Sequence, residues 1–526
     1  MKILVCDSLS NDGIEFFKNA GGITVDVKNK LSNEELMRII KNYEGIVVRS
    51  STQITKDVIR AAEHLKIIGR AGTGVDNIDV EEATKRGIIV MNTPGGNTIT
   101  TAEHTISLML SLSRNIPQAD RSIKLNKWEK KKFIGTEIYN KILGIIGLGR
   151  VGSVVADRAL GLKMKVIAFD PFTTTDTASK MGIELVDIDT LYAESDYITV
   201  HVPLTKETRY MLDKKAFKKM KKGVNIINCA RGGIINEKDL YDAILDEKVA
   251  SAAIDVFEHE PPGENPLLGL EQVICTPHLG ASTKEAQINV AVAIAKQIVD
   301  FAKNETISNA LNVPSVTGEI YKVLSPYLSL SERIGKFQGQ LTNASIEEIH
   351  IEYSGEITEL ELEPLSINLL KGLLNLIYEE TINFVNAPII AKERGIKVYE
   401  TKTSHSEDYA SLITLMVKSK KTESLIAGTI FGKKDSRIVK INNFRLEAVP
   451  EGHILLIYTF DRPGVIGHIG TILGENGINI SKMQFSREKK EGTSLILINT
   501  DEPVSKKVKN SLKKTRHFIS INQVEL

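Results

Sequence analysis

Residues 144 to 155 read "GIIGLGRVGSVV": an apolar strand that runs straight into glycines at GxGxxG spacing and then into a helix of small residues. No other stretch restricts the fold so much. A buried strand that turns directly into a helix belongs in an open α/β sheet, and the turn leaves backbone N–H groups and the positive end of the helix facing one point. The spacing alone is shared with ordinary glycine-rich turns, so the context decides. The next strand, "KVIAFD", ends at Asp170, where a carboxylate can accept hydrogen bonds from the adenosine ribose of a dinucleotide. Gly147, Gly149 and Gly152 are therefore expected to cradle a pyrophosphate. Asp170 would repel a 2′-phosphate, and Pro171 and Phe172 follow it rather than an arginine, which favours NAD over NADP. The plainer alternative for Asp170 is a helix-capping or surface carboxylate.

The rest of the chain fits that frame. Its 526 residues are too many for one core and correspond to roughly three or four domains. Before this turn, "KILVC", "ITVDV", "GIVVRS", "KIIGRA" and "IIVMN" read as strands, and Ser32 with Glu35 forms a capping box that starts a helix. A long helix, "TITTAEHTISLMLSLSRN", leads to a second strand series, "KILGIIGL", "KVIAFD", "YITVHV", "GVNIINCA", "SAAIDV" and "QVICTPH". Another long helix, "TKEAQINVAVAIAKQIVDFAKN", closes it, so the second unit is expected to be inserted into the first. With 67 Lys and Arg against 66 Asp and Glu, bulk charge supports neither nucleic-acid nor membrane-surface binding. No apolar run approaches the roughly 18 residues of a membrane span, and "MKILVCDSLSNDG" does not read as a secretory signal. Cys6, Cys229 and Cys275 are scattered without a CxxC pair, so neither a metal site nor a disulfide framework is expected, and a reducing cytoplasm fits.

Groups able to do chemistry follow the later strands. "NCARGG" brings Arg231, "IDVFEHEPP" brings Asp255 and Glu260, and "TPHLGAST" brings His278. Loops after strand ends form the ligand crevice of such a sheet, so these groups can converge beside a nicotinamide. His278 suits the base that takes a hydroxyl proton, with Glu260 on its other ring nitrogen. Arg231 suits a substrate carboxylate, a planar bidentate task.

On these motifs, residues 1 to about 314 resemble the D-isomer-specific 2-hydroxyacid dehydrogenases, and within them the long branch that acts on phosphoglycerate, whose substrate loops "VRSST" and "GRAGTGVDNID" resemble. The resemblance implies a flavodoxin-like substrate domain at 1–97 and 281–314, and a Rossmann-type, doubly wound nucleotide domain inserted at 98–280. It implies Arg231, Glu260 and His278 as catalytic residues. It places Arg49, Arg70, Gly72, Gly74 and Asn97 near substrate. Thr73, Arg150, Val151, Val202, Cys229, Ala230, Asp255 and Gly280 fall near NAD, beside the glycines and Asp170. The activity implied is NAD-dependent oxidation of 3-phospho-D-glycerate to 3-phosphooxypyruvate, the entry to L-serine synthesis. A hydroxypyruvate or glyoxylate reductase is the alternative within the family, and would need neither Arg49 and Arg70 nor the tail. An NAD-sensing corepressor is the alternative outside it.

From 452 the order strand, helix, strand, strand, helix, strand reads as a ferredoxin-like βαββαβ plait without cysteine or paired stacking aromatics. It resembles an ACT domain, spanning 451–526, which implies a homotetramer with L-serine held near Asp461 and Asn479; a plain dimerisation plait is the alternative. Residues 315–450 resemble the intervening α+β domain of the long branch. Their basic residues Lys433, Lys434, Arg437, Lys440 and Arg445 read either as an anion site or as a solvated face.

Overall fold

Four sheets organise the chain, each built from one continuous stretch. The computed structural model describes all residues except 305, 315–317, 343, 379–381, 406–407, 421, 433, 490–491 and 515–516, so Lys433 lies outside the described residues. The first sheet holds β1 (Lys2–Val5), β2 (Thr24–Val27), β3 (Gly45–Val48), β4 (Ile67–Arg70) and β5 (Ile89–Met91). They are parallel in the order β2-β1-β3-β4-β5, the flavodoxin-like arrangement. Helices cover both faces, so the strands read as unbroken apolar runs: Ile67 faces a core with Phe17 and Ile294, and Ile68 faces another with Leu36 and Ile59. The Ser32–Glu35 capping box forms as expected, with reciprocal bonds between side chain and backbone.

The helix Thr98–Arg114 carries the chain out of this sheet. The second sheet contains β6 (Ile142–Ile146), β7 (Lys165–Phe169), β8 (Glu184–Leu185), β9 (Tyr197–Val200), β10 (Val224–Asn228), β11 (Val249–Ile254) and β12 (Val273–Cys275). All pair in parallel, in the order β12-β11-β10-β9-β6-β7-β8. Strand order reverses beside β6, which opens a crevice at the carboxyl ends of β6 and β9. The helix Lys284–Asn304 then returns and buries Val290, Ala291, Ile294, Ala295 and Ile298 in the core of the first sheet.

The third sheet is mixed: β13 (Glu348–Gly355), β14 (Lys397–Thr403), β15 (Ser411–Lys418), β16 (Glu423–Phe431), β17 (Asp435–Ile441) and β18 (Phe444–Ala448), with β13 and β14 parallel and the rest antiparallel. The fourth is antiparallel, β20 (Ile480–Arg487), β21 (Thr493–Thr500), β19 (His453–Phe460) and β22 (Phe518–Glu525) in that order, as a ferredoxin-like plait requires. Its helices Val465–Glu475 and Lys506–Lys513 cover one face. The other face places Ile454, Leu456, Leu495, Leu497 and Val524 in one cluster with Ile334, Phe444, Leu446 and Ala448. The last two units therefore differ in topology but share one core. Among the described residues, no helix is long and apolar enough to cross a membrane.

Candidate active site

The turn after β6 divides the work among its glycines. Gly147 has φ +96°, and a Cβ there would lie 2.6 Å from the His201 carbonyl oxygen, so no side chain fits. A Cβ on Gly152 would overlap the Gly147 carbonyl oxygen, which is how closely the helix Arg150–Gly161 packs on the turn. Gly149, the helix N-cap, faces open space, the approach a pyrophosphate needs. Asp170 accepts from the backbone N–H groups of Leu148 at 2.7 Å, Phe172 at 2.8 Å and Thr173 at 3.1 Å. Both readings of Asp170 meet here: it caps the glycine turn, and Oδ2, with one donor, keeps a lone pair for a ribose hydroxyl. These residues fit NAD. Gly149→Ala is expected to fold with near-parental stability yet bind NAD weakly, whereas Gly152→Ala forces the helix off the turn and loses about 1–3 kcal/mol. Thermal melts with NAD titrations separate the two, and equal melting losses would contradict the assignment.

Around the turn after β4, arginines gather. A Cβ on Gly72 would overlap Arg70 Nη1, and one on Gly74 would overlap Arg231 Nη2, so both guanidiniums lie against the same turn. Arg231 donates through Nε to Asp76 at 3.1 Å and through Nη1 to the Ala230 carbonyl at 2.7 Å. Arg70 Nε is buried without a hydrogen-bond partner. Burial and the charges of Arg231 and Arg49 push the Arg70 guanidinium down to about 10. Arg49 sits in a loop organised by the buried Asp7, which accepts from the Arg49 N–H at 2.5 Å, Ser51 Oγ at 2.6 Å and Thr52 Oγ1 at 2.7 Å. Thr73 Oγ1 donates to Asn97 Oδ1 at 2.8 Å, which joins the same turn to the start of the crossing helix.

On the loops after β11 and β12, His278 Nδ1 lies 2.8 Å from Glu260 Oε2, both half-exposed. Burial would raise the Glu260 acid, but its bonds to His278 and the Phe257 N–H outweigh that and hold it below the usual carboxylate range. An ionised Glu260 favours the ring proton on Nδ1, which leaves the Nε2 lone pair free to accept a proton. Asp255 and Cys229, expected beside NAD, turn their side chains inward: Asp255 is fully buried, and the Cys229 thiol joins the core, where burial raises it to about 12. Ala230 N–H donates to Asn228 Oδ1, Gly280 N–H donates to Asp255, and Val202 packs against the glycine turn. Val151 is partly buried in the core below that turn, and the Arg150 side chain reaches toward Gly95. Asp76 was not anticipated; its only signal is the carboxylate in "GVDNID", one strand-end away from the arginines.

Three family models match in chain order: the D-isomer specific 2-hydroxyacid dehydrogenase NAD binding domain over 106–280, the D-3-phosphoglycerate dehydrogenase intervening domain over 323–442, and the ACT domain over 453–517. A D-3-phosphoglycerate dehydrogenase of Archaeoglobus fulgidus is 47% identical across 100% of both chains. This chain belongs to the D-3-phosphoglycerate dehydrogenase family. The family's members from Methanocaldococcus jannaschii, at 44% identity over 100% of both chains, and Bacillus subtilis, at 41% over 100% of this chain and 99% of its own, are also similar end to end. Among solved structures, the D-lactate dehydrogenase of Escherichia coli aligns with a TM-score of 0.54 at 27% identity, covering 59% of this chain and 100% of its own. A glyoxylate reductase from Paecilomyes thermophila aligns with a TM-score of 0.55 at 28% identity, covering 59% and 98%.

In the ACT unit of this chain, both expected effector residues already have partners. Asp461 Oδ2 accepts from Arg487 Nη1 at 3.4 Å, and Asn479 Nδ2 donates to Asp501 Oδ2 at 2.7 Å. Thr459 is fully buried and bonded to Ser494. In the intervening unit Arg437 pairs with Asp435 and Arg445 with Asp408, while Lys434 lines a cleft with Arg333 and Lys482.

Proposed function

We propose that this phosphoglycerate dehydrogenase oxidises 3-phospho-D-glycerate to 3-phosphooxypyruvate, the step that opens L-serine synthesis. The observation that carries the reading is the arginine cluster. Arg231 and Arg49 both repel Arg70, which Asp76 and Asp7 only partly offset, and Arg70 keeps a buried donor unpartnered. Such a site is unfavourable empty and is relieved by a ligand with two anionic ends, a phosphate and a carboxylate. NAD held at the glycine turn and Asp170 would supply the acceptor for the C2 hydride. His278 Nε2 takes the hydroxyl proton, Glu260 stabilises the protonated ring, and Arg231 holds the carboxylate and the C2 oxygen. Glyoxylate or hydroxypyruvate would leave the Arg70 donor unmet. Absorbance of NADH with 3-phosphoglycerate, glycerate and glyoxylate, each with NAD(H) or NADP(H), tests the choice; equal rates with the unphosphorylated acids would refute it.

The catalytic half would comprise a substrate domain, 1–97 with 281–314, around a nucleotide domain, 98–280. The intervening and ACT units, 315–450 and 451–526, would serve regulation in a cytoplasmic homotetramer. L-Serine is the proposed effector, its ammonium taken by Asp461 in exchange for Arg487 and its remaining polar groups by Asn479. Saturating serine is expected to change the rate by roughly 5- to 150-fold. Asp461→Ala should remove that response and leave the basal rate. Removing 452–526 is a poor test, because it would strip the shared core and expose Phe444 and Leu446. A full chain that ignores millimolar serine would make the plait an assembly module.

A further inference from the structure

The turn that carries His278 is suspended from one buried carboxylate. Asp255 is fully buried, and its Oδ1 accepts from Thr276 Oγ1 at 2.6 Å and from the Leu279 N–H at 2.7 Å, while Oδ2 accepts from the Gly280 N–H at 2.9 Å. The Asp255 carbonyl accepts from the His278 N–H at 2.9 Å. His278 stands between these anchors at φ +53°, a backbone shape a non-glycine residue keeps only when its surroundings impose it.

The remaining contact comes from another part of the chain. Helix Thr98–Arg114, which starts where the chain crosses between the first two sheets, brings Thr100, Thr101 and His104, with His104 four and three residues beyond the two threonines, to this loop. Thr100 Oγ1 lies 3.2 Å from Thr283 Oγ1, and Thr101 Oγ1 donates to the Gly280 carbonyl at 2.9 Å. His104 Nε2 lies 3.2 Å from Asp255 Oδ1 and 3.3 Å from Thr276 Oγ1. Because Thr276 spends its hydroxyl proton on Asp255, the geometry calls for a hydrogen on His104 Nε2.

We propose that His104 is a positioning residue: its Nε2–H, donated to Asp255, holds the 276–280 turn in the shape that presents the His278 ring, and ties that shape to the crossing helix. The inference rests on His278 being the base. The groups facing Asp255 are His104 from the helix, the Cys229 thiol after β10, Thr276 and the Leu279 and Gly280 amides of the loop, with Glu260 and His278 farther out. Burial would raise the Asp255 acid, yet the donors His104, Thr276 and Leu279 together hold it below the usual range. Cys229 stays a neutral thiol, so it offers no compensating charge. His104, Cys229 and Asp255 keep their ligating atoms within 4.8 Å of one another, but the donors already on Asp255 account for that closeness without a metal.

His104→Asn and His104→Gln in the full chain test this, because the Gln amide N–H reaches the Nε2 position and the Asn amide stops a bond short. The Asn variant is expected to lose about 10- to 100-fold in kcat with little change in KM for 3-phosphoglycerate, since the base is misplaced while the arginines are untouched. Gln should restore most of the loss. In the Asn variant Asp255, one donor short, should take its proton at a higher pH than in the parent, so activity should fall off earlier on the acid side of the kcat/KM profile. Full kcat in the Asn variant overturns the proposal. So does an equal loss in both variants with a parental pH profile, which would mean His104 only fills space. His278→Ala run alongside separates the two levels: if that variant keeps its turnover, the identity of the base has failed rather than the role of His104.

Discussion

Replacing His278 by Ala is expected to lower turnover by about 100-fold or more while NAD binding persists, because general-base assistance contributes about 10² to 10⁴ and the glycine turn does not involve this loop. The companion change, Glu260→Gln, keeps the hydrogen bond but removes the charge that favours a protonated ring. The base then becomes free at lower pH, so the acid limb of kcat/KM should move down. The sign follows from the pair: Glu260 is held below the usual carboxylate range, so it stays ionised until the pH falls below that range, and the Gln variant removes that negative charge from beside the ring at every higher pH. Steady-state rates against pH for the parent and both variants check this. Near-normal turnover in His278→Ala, or an unmoved limb in Glu260→Gln, would contradict the assignment.

Arg70→Ala is expected to reduce kcat/KM for 3-phosphoglycerate by about 10- to 100-fold, the value of a charge-assisted hydrogen bond at a buried site, and to affect glycerate much less. Its melting temperature should not fall. The parent buries a cation close to Arg231 and Arg49, with Nε unpartnered, so removal relieves repulsion instead of breaking a pair. Kinetics with both acids and a thermal melt distinguish the outcomes. Equal losses on the two acids, with a lower melting point, would make the arginine structural and favour the glyoxylate-reductase reading.

Much of this site was open to a reader of the chain because its signals are local. The glycine turn, Asp170 at the next strand end, and Arg231, Glu260 and His278 each lie just past an apolar strand, and strand ends of a parallel sheet meet by geometry. Other features depended on segments far apart in sequence. Asp76 reaches Arg231 from a different sheet, and His104 reaches Asp255 from the crossing helix. The family resemblance placed Asp255 near NAD; its burial under the His278 turn appears only when β11, β12 and that helix are packed together.

The sequence by itself determined the order of elements, the glycine turn after β6, the chemical groups available and the plait at the carboxyl end, since periodicity, capping and turn chemistry act over a few residues. Tertiary structure alone decided which charges converge, which carboxylate accepts from the turn that carries His278, and that the last two units bury one common face. Those depend on the distance between side chains that the chain separates widely, and on how much water packing removes around them, neither of which a local pattern encodes.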